Sequence, residues 1–306
     1  MQDRTRGILS MIGVCAIWGT SPIFYRLLSH VPPPEVLAHR TIWSLVLFAG
    51  FLAWQGHLGN LRDALRPPHV GRVALAALMV SLNWGVFIWS VQNGHVVESS
   101  IGYYTYPLVA VVFGVVLFRE RLRPLQQAAV LLAATAVVTL SVGLGAAPWI
   151  SLTLALTFAL YGVVKKALPL GPVQSVTAEV ALLAPLALGW LAVAHLHLLP
   201  GQDQPAAFGW DLATTLLLIL SGPITAIPLM LFARASRSVD MATVGLIGYL
   251  NPTLQFLCAV LLFGEVFTRW HAIAFAMIWS ALGLYTLSAF RAVHARNRNL
   301  RAGVGG

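Results

Sequence analysis

Charged residues stand so far apart in this 306-residue chain that their spacing decides what it can fold into. Arg6 and Arg26 enclose 19 uncharged residues, Arg40 and Arg62 enclose 21, and Glu98 and Arg119 enclose 20. A helix needs about 20 mostly apolar residues to cross a hydrocarbon core of roughly 30 Å. The same ruler marks spans between Arg72 and Glu98, Glu179 and Asp203, Asp211 and Arg234, Asp240 and Glu265, and Arg269 and Arg291. The gap from Arg123 to Lys165 holds 41 residues, too many for one helix, and Gly145-Ala146-Ala147-Pro148 in its middle predicts two spans joined by a tight turn. Ten spans result. With 9% charged residues, against about 25% in an average soluble domain, the chain cannot cover an aqueous surface. The expected class is an all-α membrane protein.

Orientation follows from the basic residues, because short positive loops stay cytoplasmic. With the N-terminus inside, all of the 19 Lys and Arg residues except Arg26, Arg40 and Arg269 fall on cytoplasmic segments. Both termini are therefore expected in the cytoplasm. The net charge of +9 needs no nucleic-acid partner, since it lies on these loops and on a basic tail, residues 291–306, next to anionic lipid heads. The first span is long and lacks a small-residue exit, so it reads as a retained helix. Cys15 and Cys258 lie inside apolar spans, and no disulfide framework, metal cluster or cofactor motif is expected.

Five spans per half means that duplicated halves must lie upside down relative to each other. Tyr104, Pro107, Phe118 and Glu120 recur as Tyr249, Pro252, Phe263 and Glu265, each shifted by 145 positions, and Phe87 and Phe232 keep that shift without a gap. The reading is two inverted five-helix repeats, residues 8–144 and 149–290, around a central cavity. Helix-breaking Pro22, Pro107, Pro185, Pro223, Pro228 and Pro252 sit at membrane depth. There the freed carbonyls need neighbouring helices or cavity water.

Ionisable groups inside a membrane cost about 2.5–3.5 kcal/mol each on insertion scales and are functional candidates by default. Arg40 is the candidate anchor for a substrate carboxylate, through its bidentate fork, with snorkelling to the outer interface as the alternative. His39 and Glu179 are the candidate proton carriers, and Glu179 could equally be a buried partner for a Lys or Arg. Glu98, with His95 beside it, and Lys165 read as interfacial anchors, and Arg26 ends the first span. Glu120 and Glu265 are expected to complement the N-terminus of the helix that follows each of them. Trp18, Asn83, Trp84, Tyr103, Tyr106, Tyr161, Tyr249, Asn251 and Gln255 would line a cavity for a small amphipathic molecule with a flat part. For the aromatic residues among them, ordinary packing or an interfacial belt is the competing reading. H-E-x-x-H, G-x-S-x-G and Walker motifs are absent.

Several of these residues fall into a recognisable pattern. Ile17-Trp18-Gly19, Glu35 with His39-Arg40, Trp43-Ser44, Asn83-Trp84, Phe87-Ile88-Trp89, Glu98-x-Ser100-x-Gly102-Tyr103 and Pro107-Leu108 mark the first half. Tyr161-Gly162, Lys165-Lys166, Glu179, Pro185, Tyr249, Pro252 and Gly264-Glu265 mark the second. The chain resembles the RarD branch of the EamA-type drug/metabolite transporter superfamily, from about Gly7 to Phe290. That resemblance implies ten helices in two inverted halves and solute movement, generally export, across a bacterial cytoplasmic (inner) membrane. Tyr106 and Arg119 depart from the residues that related sequences often carry, Asn before the Pro and Gly before the Glu. A secondary transporter of small amphipathic metabolites or drug-like compounds is thus expected. A lipid scramblase or channel, which needs a polar track, and an intramembrane enzyme on lipid-linked substrates, which needs a nucleophile–base pair or metal, are the alternatives.

Overall fold

The computed structural model describes residues 2–119, 122–144, 148–196, 198, 206–239 and 241–302, and all regular structure among them is helical. The long helices are α1 (Gln2–Leu27), α2 (Pro33–Trp54), α4 (Val70–Gln92), α5 (Val96–Phe118), α6 (Pro124–Leu144), α7 (Trp149–Lys166), α8 (Pro172–His195), α9 (Leu212–Ser238) and α12 (Arg269–Ala302). A short α3 (Gly59–Ala64) lies between α2 and α4. Among the described residues, nine helices are long and apolar enough to cross a membrane. Large side chains such as Leu131, Val142, Leu186 and Leu261 are more than two-thirds exposed, as a surface facing acyl chains requires.

The expected span between Asp240 and Glu265 departs from a simple rod. It is split into α10 (Met241–Gly248), α11 (Leu250–Leu257) and a π-helical turn (Cys258–Leu262). The interruption at Tyr249 comes three residues before Pro252, whose ring carries no N–H and crowds the preceding turn. Pro107, its counterpart under the 145-residue shift, is accommodated inside an unbroken α5, and Pro22, Pro185, Pro223 and Pro228 likewise sit within continuous helices. The tight turn expected at 145–147, and Asp203, Asp240 and Glu120, lie outside the described residues. The last helix is longer than its span, because α12 runs on to Ala302 and takes in most of the expected basic tail.

Helix ends gather on two faces. The face near the N-terminus holds α3 and the α7–α8 connection, where Leu61, Ala64 and Val73 pack with Val164 and Leu168. On the opposite face Arg26 donates to the carbonyls of Val91 (3.2 Å) and Gln92 (3.3 Å), and Gln92 returns bonds to Leu28 and Val31. His30 meets Thr214 there at 3.0 Å, and Asp211 caps α9 by accepting from the Thr214 N–H. Those bonds hold the Asp211 carboxyl below its usual range.

The principal helix pairs are α1 with α9 and α11, α7 with α4 and α5, α2 with α8 and α9, α8 with α4, and α6 with α12. Small residues permit close approach: Ala129, Ala133 and Ala136 of α6 are buried with Ala274 and Ala281 of α12. At Gly102 a Cβ would fall 2.9 Å from the Ser151 carbonyl oxygen and 3.0 Å from Leu154 Cβ, so only glycine lets α5 lie this near α7. Gly102→Val is expected to push these helices apart and cost about 1–3 kcal/mol, read as a lower unfolding midpoint in detergent.

Candidate functional site

Pro33 starts α2 at its first position, where a missing N–H costs nothing, and the first two turns then sort their side chains by angle. Glu35 and His39, four residues apart, share a face. Glu35 accepts from the Ala207 N–H at 2.7 Å, and the His39 ring stacks on Phe208 at 4.7 Å. Arg40 is turned about 100° further round, toward α1 and α4. Its guanidinium carbon lies 4.0 Å over the centre of the Trp84 ring and 5.7 Å from that of Tyr25. The side chain is buried, so it does not snorkel to the interface. Nε has no hydrogen-bond partner, and among the described residues no carboxylate pairs with Arg40. Two aromatic faces offer about 0.5–2 kcal/mol each, whereas an unpaired buried ion costs several. The cation is left short of an anion.

A row of aromatic groups leads away from it. Beyond Tyr25, the Phe87 ring meets Tyr25 at 5.9 Å and Tyr103 at 5.8 Å, and Tyr103 donates to Asn83 Oδ1 at 2.9 Å. Asn83 in turn donates to the Leu154 carbonyl and to Thr157 Oγ1, both at 3.0 Å. Both amide hydrogens and the oxygen of Asn83 are thereby engaged; it holds Tyr103 in place and ties α4 to α7. The Tyr103 ring meets Phe158 edge-on at 5.9 Å, Phe158 meets Tyr106 edge-on at 4.9 Å, and Phe158 stacks on Tyr161 at 6.0 Å. Neither Tyr25 nor Phe158 stands out in the sequence. Spacing alone offers one hint, since Phe158 lies three residues before Tyr161 on the same helix face.

The row ends in a buried polar cluster between α7 and α8. Tyr161 donates to Glu179 Oε2 at 3.0 Å, while Lys165 Nζ, at 2.7 Å, and Ser175 Oγ, at 2.9 Å, reach Glu179 Oε1. Glu179 is fully buried, and its alternative reading as a partner for a basic residue is the one found. Lys165, expected to anchor at the interface, points inward instead.

Other candidates lie elsewhere. Trp18 packs with Met11, Val14 and Cys15 against α9 and α10. Tyr249 stacks on Tyr104 at 6.4 Å. Gln255 donates to Asn251 Oδ1 at 3.1 Å and keeps a buried, unpartnered Oε1. Glu98 stays near the surface, 3.5 Å from His95. Glu265 corrects the expectation that it serves the following helix, α12: its two oxygens accept from Val96 N (2.9 Å) and Val97 N (2.8 Å) at the start of α5. Burial pushes the Glu265 carboxyl above its ordinary value, the two N–H bonds pull it back, and Glu98 adds to the rise. No group of three or more His, Cys, Asp or Glu suited to a metal occurs among the described residues.

A bundle of apolar helices around a buried polar and aromatic row is the frame of a membrane carrier, and relatives point the same way. The EamA-like transporter family matches residues 5–142. Protein RarD of Streptomyces exfoliatus is 41% identical over 98% of this chain and 94% of its own length. An uncharacterized transporter of Pseudomonas aeruginosa is 39% identical over 94% of this chain and 95% of its own. A solved crystal structure with 21% identity superposes with a TM-score of 0.61 over 94% of this chain and 99% of its own, which supports the fold. The molecule is a multi-pass membrane transporter of the drug/metabolite type. It belongs to the EamA-like transporter family, in the RarD branch.

Proposed function

We propose that this chain is a secondary transporter that exports small, flat, anionic metabolites or drug-like compounds by alternating access. The observation that carries the substrate class is Arg40, a buried guanidinium framed by Trp84 and Tyr25 with no counter-ion among the described residues. A solute carboxylate would supply the missing charge through two parallel N–H···O bonds, and the ring row beside it would receive the flat remainder.

The pairing of helices supports two inverted halves, residues 8–144 and 149–290. A shift of 145 positions carries α1, α2, α4, α5 and α6 onto α7, α8, α9, α10–α11 and α12. Under that exchange the α1·α9 contact becomes α7·α4, α1·α11 becomes α7·α5, and α2·α9 becomes α8·α4. The pairs α2·α8, α5·α11 and α6·α12 map onto themselves. Such a pseudo-two-fold pattern suits a barrier that alternates between two faces. The basic loops favour insertion in the bacterial inner membrane with both termini in the cytoplasm, so the opposite face is the outer one.

Reconstituted protein should move an aromatic carboxylate with saturable kinetics, and move its neutral amide analogue poorly. Non-saturating flux of both would instead favour a channel. Cysteines placed in the tail and near the N-terminus should both be labelled from the same side of sealed vesicles. Labelling from opposite sides would rule out the inverted halves.

A further inference from the structure

On the face opposite the N-terminus, one carboxylate from the second half grips a helix of the first. Gly264, at φ +65°, adopts a conformation that suits glycine and turns the chain sharply after the π-helical turn. Glu265 N then bonds the Ala259 carbonyl at 3.0 Å, which sets the direction of the side chain. Both carboxylate oxygens receive N–H groups that α5 cannot satisfy internally, at the positive end of its dipole. Other ties across the halves on this face are His30 to Thr214, Ser151 to the Glu98 carbonyl, and Glu35, which accepts from Ala207 and Phe208 N–H; of these only Glu35 is also a carboxylate, and it grips a connecting segment where Glu265 grips the end of a long helix. Resting on the alternating-access reading above, we propose that Glu265 is the gating residue of the outer face: its two-pronged grip on α5 holds that face shut and is released when it opens.

The grip has the properties a gate needs. It joins the two proposed halves, is charge-assisted, and stands at the surface, where water can replace it once the helices part. Val96 and Val97 are buried beneath it, and Ser100, one turn further along α5, is fully buried. Loss of the grip should therefore admit reagents to Ser100.

The test uses full-length protein in sealed vesicles, with Cys15→Ala and Cys258→Ala removing the native thiols and Ser100→Cys as reporter. An impermeant methanethiosulfonate reagent is added to each side separately. Glu265→Ala should raise the labelling rate from the outer face by at least about tenfold, as loss of charge-assisted bonds implies. Glu265→Gln, which keeps an acceptor oxygen without the charge, should be intermediate. Glu265→Asp, charged but too short to keep both bonds, serves if the neutral variants fail to insert. Asn93→Ala removes a side-chain bond to the Trp89 carbonyl on the same face that stays within the first half, and should leave labelling unchanged. Equal labelling rates in the Glu265 and Asn93 variants would overturn the gate. Faster labelling from the face bearing the termini would also overturn it. If the Glu265 effect is found while no solute flux can be measured, the gate stands and the solute assignment is what fails.

Discussion

Arg40→Leu is expected to weaken binding of a flat carboxylate by about 2–5 kcal/mol, roughly 30- to 4,000-fold in Kd, while leaving the empty protein at least as stable as before. The two halves of that result have one cause. In the empty protein the guanidinium is buried with no carboxylate among the described residues, so its desolvation is only partly offset by the Trp84 and Tyr25 rings. Replacing it with an apolar side chain removes that cost. With the proposed anionic solute bound, the same residue would be its counter-charge, and the loss would strand the solute anion. Arg40→Lys should fall between, because an ammonium keeps the charge but not the planar fork. Binding measured calorimetrically, beside an unfolding midpoint in the same detergent, separates the effects. A destabilised Arg40→Leu protein with unchanged affinity would show that the cation serves the fold and not the solute.

The second large effect concerns the pair between α7 and α8. Lys165→Met should cost about 3–5 kcal/mol, because it leaves a fully buried Glu179 carboxylate with only the neutral donors Tyr161 and Ser175. Glu179→Leu should cost less. The Lys165 side chain is 21% exposed and can extend its ammonium toward the membrane surface. The double substitution should recover most of the loss, since neither charge is then stranded. Unfolding midpoints of the four proteins close the cycle. Additive losses would mean that the two charges do not rely on each other.

Much of this architecture can be read from the chain, because membrane thickness and the cost of buried charge act locally. The nine long helices follow the charge-free intervals, and Arg40 and Trp84 stand out as polar or amphipathic groups in apolar runs. What depends on contact between distant segments does not show. Tyr25 and Phe158 are aromatic residues among many, and only the folded bundle places them beside Arg40 and the tyrosine row. Asn83 looks like a solute ligand because an unpaired amide in hydrocarbon is costly; its partners 71 and 74 residues away remove that cost. Glu265 reads as a cap for its nearest helix, whereas its true partners lie 168 and 169 residues back. Likewise, the 145-residue shift implies that the Pro107 and Pro252 segments are alike, yet one helix is continuous and the other interrupted.

The Asn83 knot has a mechanical consequence. It fastens α4 and, through Tyr103, α5 to α7. On the inverted-halves reading proposed above, the blocks that move would then differ from the blocks that were duplicated, and each copy would lend helices to the other's moving part. Exchanging whole halves between relatives would demand that both sides of this knot be exchanged together.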